Sequence, residues 1–137
     1  NSNISVAQIK EAVQGTYLAG SVNGDSYAQM IYDAAQASGE SAFSIVVRIF
    51  QELGNGKELP EMISGTNPTY PGVYNFFNYG ATVTSECSDV IRNGLNYARA
   101  AGWTSKRAAI IGGSKLIKES FVDLRGQNTF YFLKYKN

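Results

Sequence analysis

The stretch "RIFQELGNG", Arg48 to Gly56, puts a carboxylate where it can do proton chemistry. Glu52 falls in the last turn of an apolar helical run, just before a Gly-Asn-Gly break. The polar residues Ser44, Arg48, Gln51 and Glu52 follow one another at i, i+4, i+7 and i+8, so they share one narrow stripe. A carboxylate there meets the negative end of the helix dipole. Partial burial adds a desolvation cost to the ionised form. Both effects favour the protonated acid and so prepare a general acid. Arg48, one turn back, acts in the opposite sense by favouring the carboxylate. Helical spacing alone therefore leaves two readings open, a proton donor and a plain ion-paired glutamate.

Composition narrows the chemistry further. The chain contains no histidine, which removes Ser-His-Asp and Cys-His catalysis and His-ligated zinc. Cys87 is the single cysteine, so it forms no internal disulfide and has no imidazole to activate it. Hydrolytic chemistry must rest on carboxylates, tyrosines, amides or backbone, and no metal or cofactor is expected. With a net charge of +1 and scattered cations, no pull toward nucleic acid or an anionic membrane is expected. No apolar run approaches the roughly 20 residues that span a bilayer.

A second segment bears on binding. Thr66 to Tyr79 reads "TNPTYPGVYNFFNY", with five aromatics and three asparagines in a turn-rich stretch. Asn and Tyr side chains hydrogen-bond sugar hydroxyls and acetamido groups, and aromatic faces stack on pyranose rings. Such a composition suits a groove for a polar polymer. Phe76 and Phe77 also fit a simpler role, plugging the segment onto the core.

These residues need a scaffold. The 137 residues suit one domain, expected to span residues 1–137. Ser5 to Gln8 forms a capping-box pattern that starts a helix through Val6, Ile9, Val13 and Tyr17, expected to end near Gly20. Asp25 is expected to cap a second helix carrying Tyr27, Met30, Ile31, Ala34 and Ala35. The third runs from about Ala42 to Leu53, is apolar enough to be central and buried, and is stopped by Gly54. Residues 54–87 hold Pro60, Pro68 and Pro71 and no helical period; they read as an irregular lobe, with room for a short hairpin. Helices resume at Ser88, with a stripe of Ile91, Leu95 and Ala98, and at Thr104 or Ser105, with Ala108, Ile111, Leu116 and Phe121. Gly112-Gly113 inside that last helix predicts close packing against another backbone. Gln127 to Tyr135 is rich in β-favouring residues and is expected to be extended. Asn1 in place of an initiator Met is expected of a mature or excised domain.

The order "QELGNG", "ISGT", "YNFFNYGA", "GLNYARAAGWTS", "AIIGGSKLI" and "GQNTFYFLKY" resembles glycoside hydrolase family 73, the endo-β-N-acetylglucosaminidases of bacterial autolysins. The resemblance covers about Ser38 to Tyr135. It implies a mainly α (α+β), lysozyme-like domain with a small irregular or β-containing lobe forming one wall of a substrate cleft. It implies cleavage of the β-1,4 bond between N-acetylglucosamine and N-acetylmuramic acid in peptidoglycan glycan strands. A monomer that is secreted or associated with the bacterial wall is expected from the same likeness. The glutamate of the family's "QExG" motif, its general acid, maps onto Glu52. The groove segment maps onto Tyr74, Asn75, Phe76, Phe77 and Asn78, and Tyr70 and Tyr131 join the candidates for substrate contact.

Glycoside hydrolysis usually takes two carboxylates. Glu61 and Glu86 are candidates for the second; Glu58 follows Glu52 closely, and Asp89 better suits a helix start. A route without a protein nucleophile uses the substrate's own acetamido oxygen, oriented by Tyr74, Asn78 or Tyr131. Two other functions share these features: a lytic transglycosylase acting on the same polymer, and a non-catalytic wall-binding module that keeps the groove.

Overall fold

The computed structural model describes the backbone of residues 4–125 and the side chains of residues 4–117. The described residues are mostly helical, with one small antiparallel pair of strands. Helix α1 (Val6–Ala12) starts as its capping box dictates: the Ser5 hydroxyl accepts from the Gln8 N–H, and the Gln8 side chain accepts from the Ser5 N–H. It does not run on to Gly20. Gly15 adopts a left-handed φ of 78°, and Thr16 then caps a separate 3-10 turn, Tyr17–Ala19. Ile9, Val13 and Tyr17 are still buried together.

Strands β1 (Ser21–Val22) and β2 (Asp25–Ser26) pair across an Asn23-Gly24 turn, with both turn residues at positive φ. This is the turn chemistry that a two-residue hairpin demands. Asp25 lies in β2 and caps nothing; Ser26 caps α2 (Tyr27–Ser38) by accepting from the Gln29 N–H. Asp25 instead receives two hydrogen bonds from Arg107 of α5 (Lys106–Arg125), at 2.8 and 2.9 Å. A third guanidinium nitrogen of Arg107 reaches Asp33 on α2 at 2.6 Å.

Helices α2 and α5 form the most extensive helix pair. The buried face of α5 is Ala109, Ile110, Ser114 and Ile117. Of the expected stripe, Ala108, Ile111 and Leu116 are only half-buried, because the helix is turned so that Arg107 meets Asp25 and Asp33, and Phe121 lies outside the described side chains. Gly112 and Gly113 do pack closely, but against aromatic side chains: a Cβ would strike the Trp103 indole at Gly112 and the Phe77 ring at Gly113. Helix α4 (Val90–Ala101) is capped by Asp89, not Ser88, through the N–H groups of Ile91 and Arg92, and buries Leu95 and Ala98.

The segment between α3 (Ala42–Leu53) and α4 is irregular, as expected, apart from a 3-10 turn at Glu61–Ile63. It contains no hairpin; the strand pair lies before α2. Met62, Ile63, Val73, Phe76, Phe77 and Tyr79 press the lobe onto the core. Its main chain is tied to Trp103 through the Tyr74 N–H (3.1 Å).

Candidate active site

Helix α3 has the bounds its sequence implies. Ser41 caps it, and Gly54, at φ 86°, ends it. Its burial is one-sided rather than all round: Ala42, Ile45, Val46 and Ile49 enter the core, while Phe43 (41%) and Val47 (52%) are exposed. A shallow groove of about 360 Å³ runs along this outward face, lined by Phe43, Ser44, Val47, Arg48 and Gln51. Glu52 does not line it.

The end of α3 is anchored from the first third of the chain. The Tyr17 hydroxyl donates to the Gly54 carbonyl (2.7 Å), and the Tyr17 N–H donates to the Gly56 carbonyl (2.9 Å). The Tyr17 ring meets Phe50 edge-on at 6.1 Å. Periodicity marks Tyr17 as a core residue and says nothing of this anchoring role, which depends on a partner 37 residues away.

Glu52 is half-buried. From the lobe, the Asn78 side-chain nitrogen donates both to the Glu52 main-chain carbonyl (3.0 Å) and to its carboxyl oxygen Oε1 (3.3 Å). Burial raises the pKa of Glu52; the Asn78 hydrogen bond and the Arg48 charge oppose that rise without cancelling it. Of the two opposing effects expected from burial and from Arg48, burial is the larger. Asn78 itself adopts a left-handed φ of 55°, which asparagine tolerates. Its Oδ1 is buried without a hydrogen-bond partner among the described residues, a state that costs about 1–3 kcal/mol.

The other expected contact residues divide sharply. Asn75 is fully buried and saturated. Its nitrogen donates to the carbonyls of Tyr79 (2.8 Å) and Gly94 (2.9 Å), and its oxygen accepts from the N–H groups of Phe77 and Tyr79. No valence is left for a sugar. Phe76 and Phe77 are buried too, Phe77 against Gly113 and Phe76 beside Tyr27 at 6.2 Å. These three residues hold the lobe together and offer no surface to a substrate. Tyr74 and Asn78 stay half-exposed. Tyr74 leans over Gly65, where a Cβ would come within 2.6 Å of its hydroxyl. Its ring also lies 5.7 Å from the Lys106 ammonium. That ammonium donates to the Tyr27 hydroxyl at 2.7 Å, and burial lowers its pKa. Tyr27 is pushed up to about 12 by burial and by Tyr74. No spacing rule marks Lys106, which stands 79 residues from Tyr27. Tyr70 is half-buried under the Arg99 guanidinium, 4.7 Å above its ring. Tyr131 lies outside the described residues, as does the expected extended stretch Gln127 to Tyr135.

Of the other carboxylates, Glu61 is exposed and accepts from Asn67 at 3.1 Å, Glu86 is exposed, and Asp89 is spent on the α4 cap. Among the described residues no cluster of three or more His, Cys, Asp or Glu side chains is arranged to hold a metal ion. No helix among them is long and apolar enough to cross a membrane.

Fold and site together define a mostly helical domain with a half-buried, helix-terminal glutamate gripped by an asparagine from an irregular lobe. The chain is homologous to the bifunctional autolysin of Staphylococcus aureus: the proteins of strains Mu50 / ATCC 700699 and N315 are each 27% identical over 142 residues, covering 97% of this chain and 10% of theirs. A crystal structure of a major bifunctional autolysin superposes with a TM-score of 0.64 and 32% identity, over 94% of this chain and 48% of that one. The chain thus spans about a tenth of the length of the curated relatives it matches. No protein-family model matches the sequence.

Proposed function

We propose that this domain hydrolyses the glycan strands of bacterial peptidoglycan as an endo-β-N-acetylglucosaminidase, with Glu52 as general acid. The name autolysin, carried by its homologues, supports action on the cell wall. The reading of residues 1–137 as one catalytic domain, acting as a monomer in a secreted or wall-associated protein, belongs to the same proposal.

The observation that carries it is the setting of Glu52. Desolvation keeps its proton bound at a higher pH than an exposed glutamate would, and the Asn78 amide donates to its carboxyl. Protonated Glu52 gives its hydrogen to the glycosidic oxygen as the bond from the anomeric carbon to that oxygen breaks. The leaving sugar departs as a neutral alcohol, and Glu52 is left as a carboxylate. The positive charge on the anomeric carbon is then met by water, by a carboxylate or by the acetamido oxygen. Tyr74, half-exposed in the lobe, is the proposed substrate contact, and Tyr70 is a weaker one because Arg99 covers one face of its ring; Asn78 is not one, because its nitrogen is spent on Glu52 and its Oδ1 is buried.

Purified cell walls digested with the wild type test this reading by the ends they release. N-acetylglucosamine reducing ends support it. Ends carrying 1,6-anhydro-muramyl sugar identify a lytic transglycosylase, and wall binding with no new ends identifies a binding module.

A further inference from the structure

We propose that Asn78 is the positioning residue of the acid: one amide nitrogen, delivered from the lobe, grips both the main chain and the carboxyl of Glu52 and so fixes where the proton points. The inference rests on the reading of Glu52 as general acid.

The orientation of the Asn78 amide follows from its partners. Both atoms facing it are oxygens, the Glu52 carbonyl and Oε1. Turning the amide over would set oxygen against oxygen, so the nitrogen must face α3. The one nitrogen then serves two acceptors on a single residue. A link whose only task was to join lobe and helix would be complete with the carbonyl bond. The second bond restrains a side chain that otherwise turns about several torsions.

The base from which Asn78 reaches is rigid. Phe77 before it and Tyr79 after it are buried. The Asn75 carboxamide bonds the main chain of both. The left-handed backbone of Asn78 sits between these two fixed points. Among the described residues the other non-glycine at positive φ is Asn23, which the hairpin turn explains. No hairpin explains Asn78, whose carboxamide bridges to α3. A group held in place this way sets geometry without moving during the reaction.

The amide also stabilises the carboxylate that remains once the proton has left. Around Glu52, Asn78 acts from the lobe and Arg48 acts from α3 itself, both favouring ionisation against burial. Removing the amide leaves burial opposed, among the described residues, by Arg48, so the proton is held to a higher pH.

Two variants test this. Asn78→Gly keeps a residue suited to the left-handed backbone and removes the amide. Asn78→Asp keeps the shape and replaces the donor by a negative charge. Each is compared with the wild type for kcat and KM on solubilised glycan across pH. The Glu52 midpoint is followed by carbon NMR of its side-chain carboxyl, and thermal stability is measured alongside. We expect kcat of Asn78→Gly to fall by roughly 10- to 100-fold with little change in KM, the size of loss that misaligned catalytic groups produce. The basic limb of the pH profile and the NMR midpoint should both move to higher pH, further in Asn78→Asp than in Asn78→Gly. An unmoved limb and midpoint in folded variants overturn the proposal and leave Asn78 a structural tie. Full activity in Glu52→Gln overturns instead the reading on which the proposal rests. An inactive Glu52→Gln combined with an unmoved midpoint defeats the Asn78 proposal alone.

Discussion

The Tyr17 hydroxyl donates a 2.7 Å hydrogen bond to the Gly54 carbonyl, the residue that ends the glutamate-bearing helix. The first 3-10 turn of the chain thereby holds the far end of α3, 37 residues on. The geometry of Glu52 thus depends on a residue with no chemistry of its own.

Tyr17→Phe removes that bond and keeps the ring against Phe50. The expected cost is about 1 kcal/mol, the usual net worth of one such bond. A lower denaturation midpoint in urea with an unchanged slope checks it; an unchanged midpoint means that the carbonyl is equally well served by water.

Glu52 carries a stability signature of its own. Burial raises its folded-state pKa above the unfolded value, so folding favours the protonated form. That contribution is present below the ordinary glutamate pKa of about 4.3 and is lost as pH rises through the folded value. Glu52→Gln mimics the protonated form at every pH. Its melting temperature should exceed that of the wild type at neutral pH, with the gap closing toward about pH 4. A variant that melts lower at neutral pH contradicts the desolvated acid.

Gly113→Ala should destabilise the domain even though alanine is the better helix former. The added methyl meets the buried Phe77 ring. Overpacking costs about 1–3 kcal/mol, against a helix-propensity gain of about 1 kcal/mol. Calorimetry decides the sign, and a rise in melting temperature would mean that the ring yields freely.

Asp25→Asn breaks the bidentate pair with Arg107 that joins the hairpin to α5. Both side chains are about a third exposed, so solvent screens the pair. The expected cost is under about 1 kcal/mol. The Arg107 hydrogen bonds hold the Asp25 carboxyl below the usual range. Its contribution is therefore present above the ordinary aspartate pKa of about 3.9 and is lost as pH falls through the lower folded value. Added salt should shrink the difference between wild type and variant; a difference insensitive to salt argues against an electrostatic origin.

What was legible in the sequence follows from the range of the interactions. Helix α3 could be bounded because its signals are local: an apolar period and a glycine stop lie within a few turns, and the Ser41 cap, which the sequence reading passes over, is equally local. Asn23-Gly24 is an equally local hairpin signal, and an expectation of one helix reaching Gly20 obscures it. The stripe and the family resemblance set Glu52 at the floor of a cleft; the structure sets it against the lobe through Asn78 and outside the groove along α3. The burial of Asn75, Phe76 and Phe77 is not legible in the sequence, because their partners, Gly94, Tyr27 and Gly113, lie on α4, α2 and α5. The same composition serves a sugar groove or a packed lobe, and only tertiary contacts separate the two. The family resemblance marks Asn78 as a groove residue, whereas its bond to Glu52 crosses 26 residues that no periodicity links.

The most direct measurement is the rate at which Glu52→Gln releases new N-acetylglucosamine reducing ends from purified peptidoglycan, compared with the wild type at each enzyme's best pH. Loss of the acid should lower that rate by about 10²- to 10⁴-fold while fold and wall binding persist. A variant that clears walls as fast as the wild type would contradict the assignment of Glu52 as proton donor.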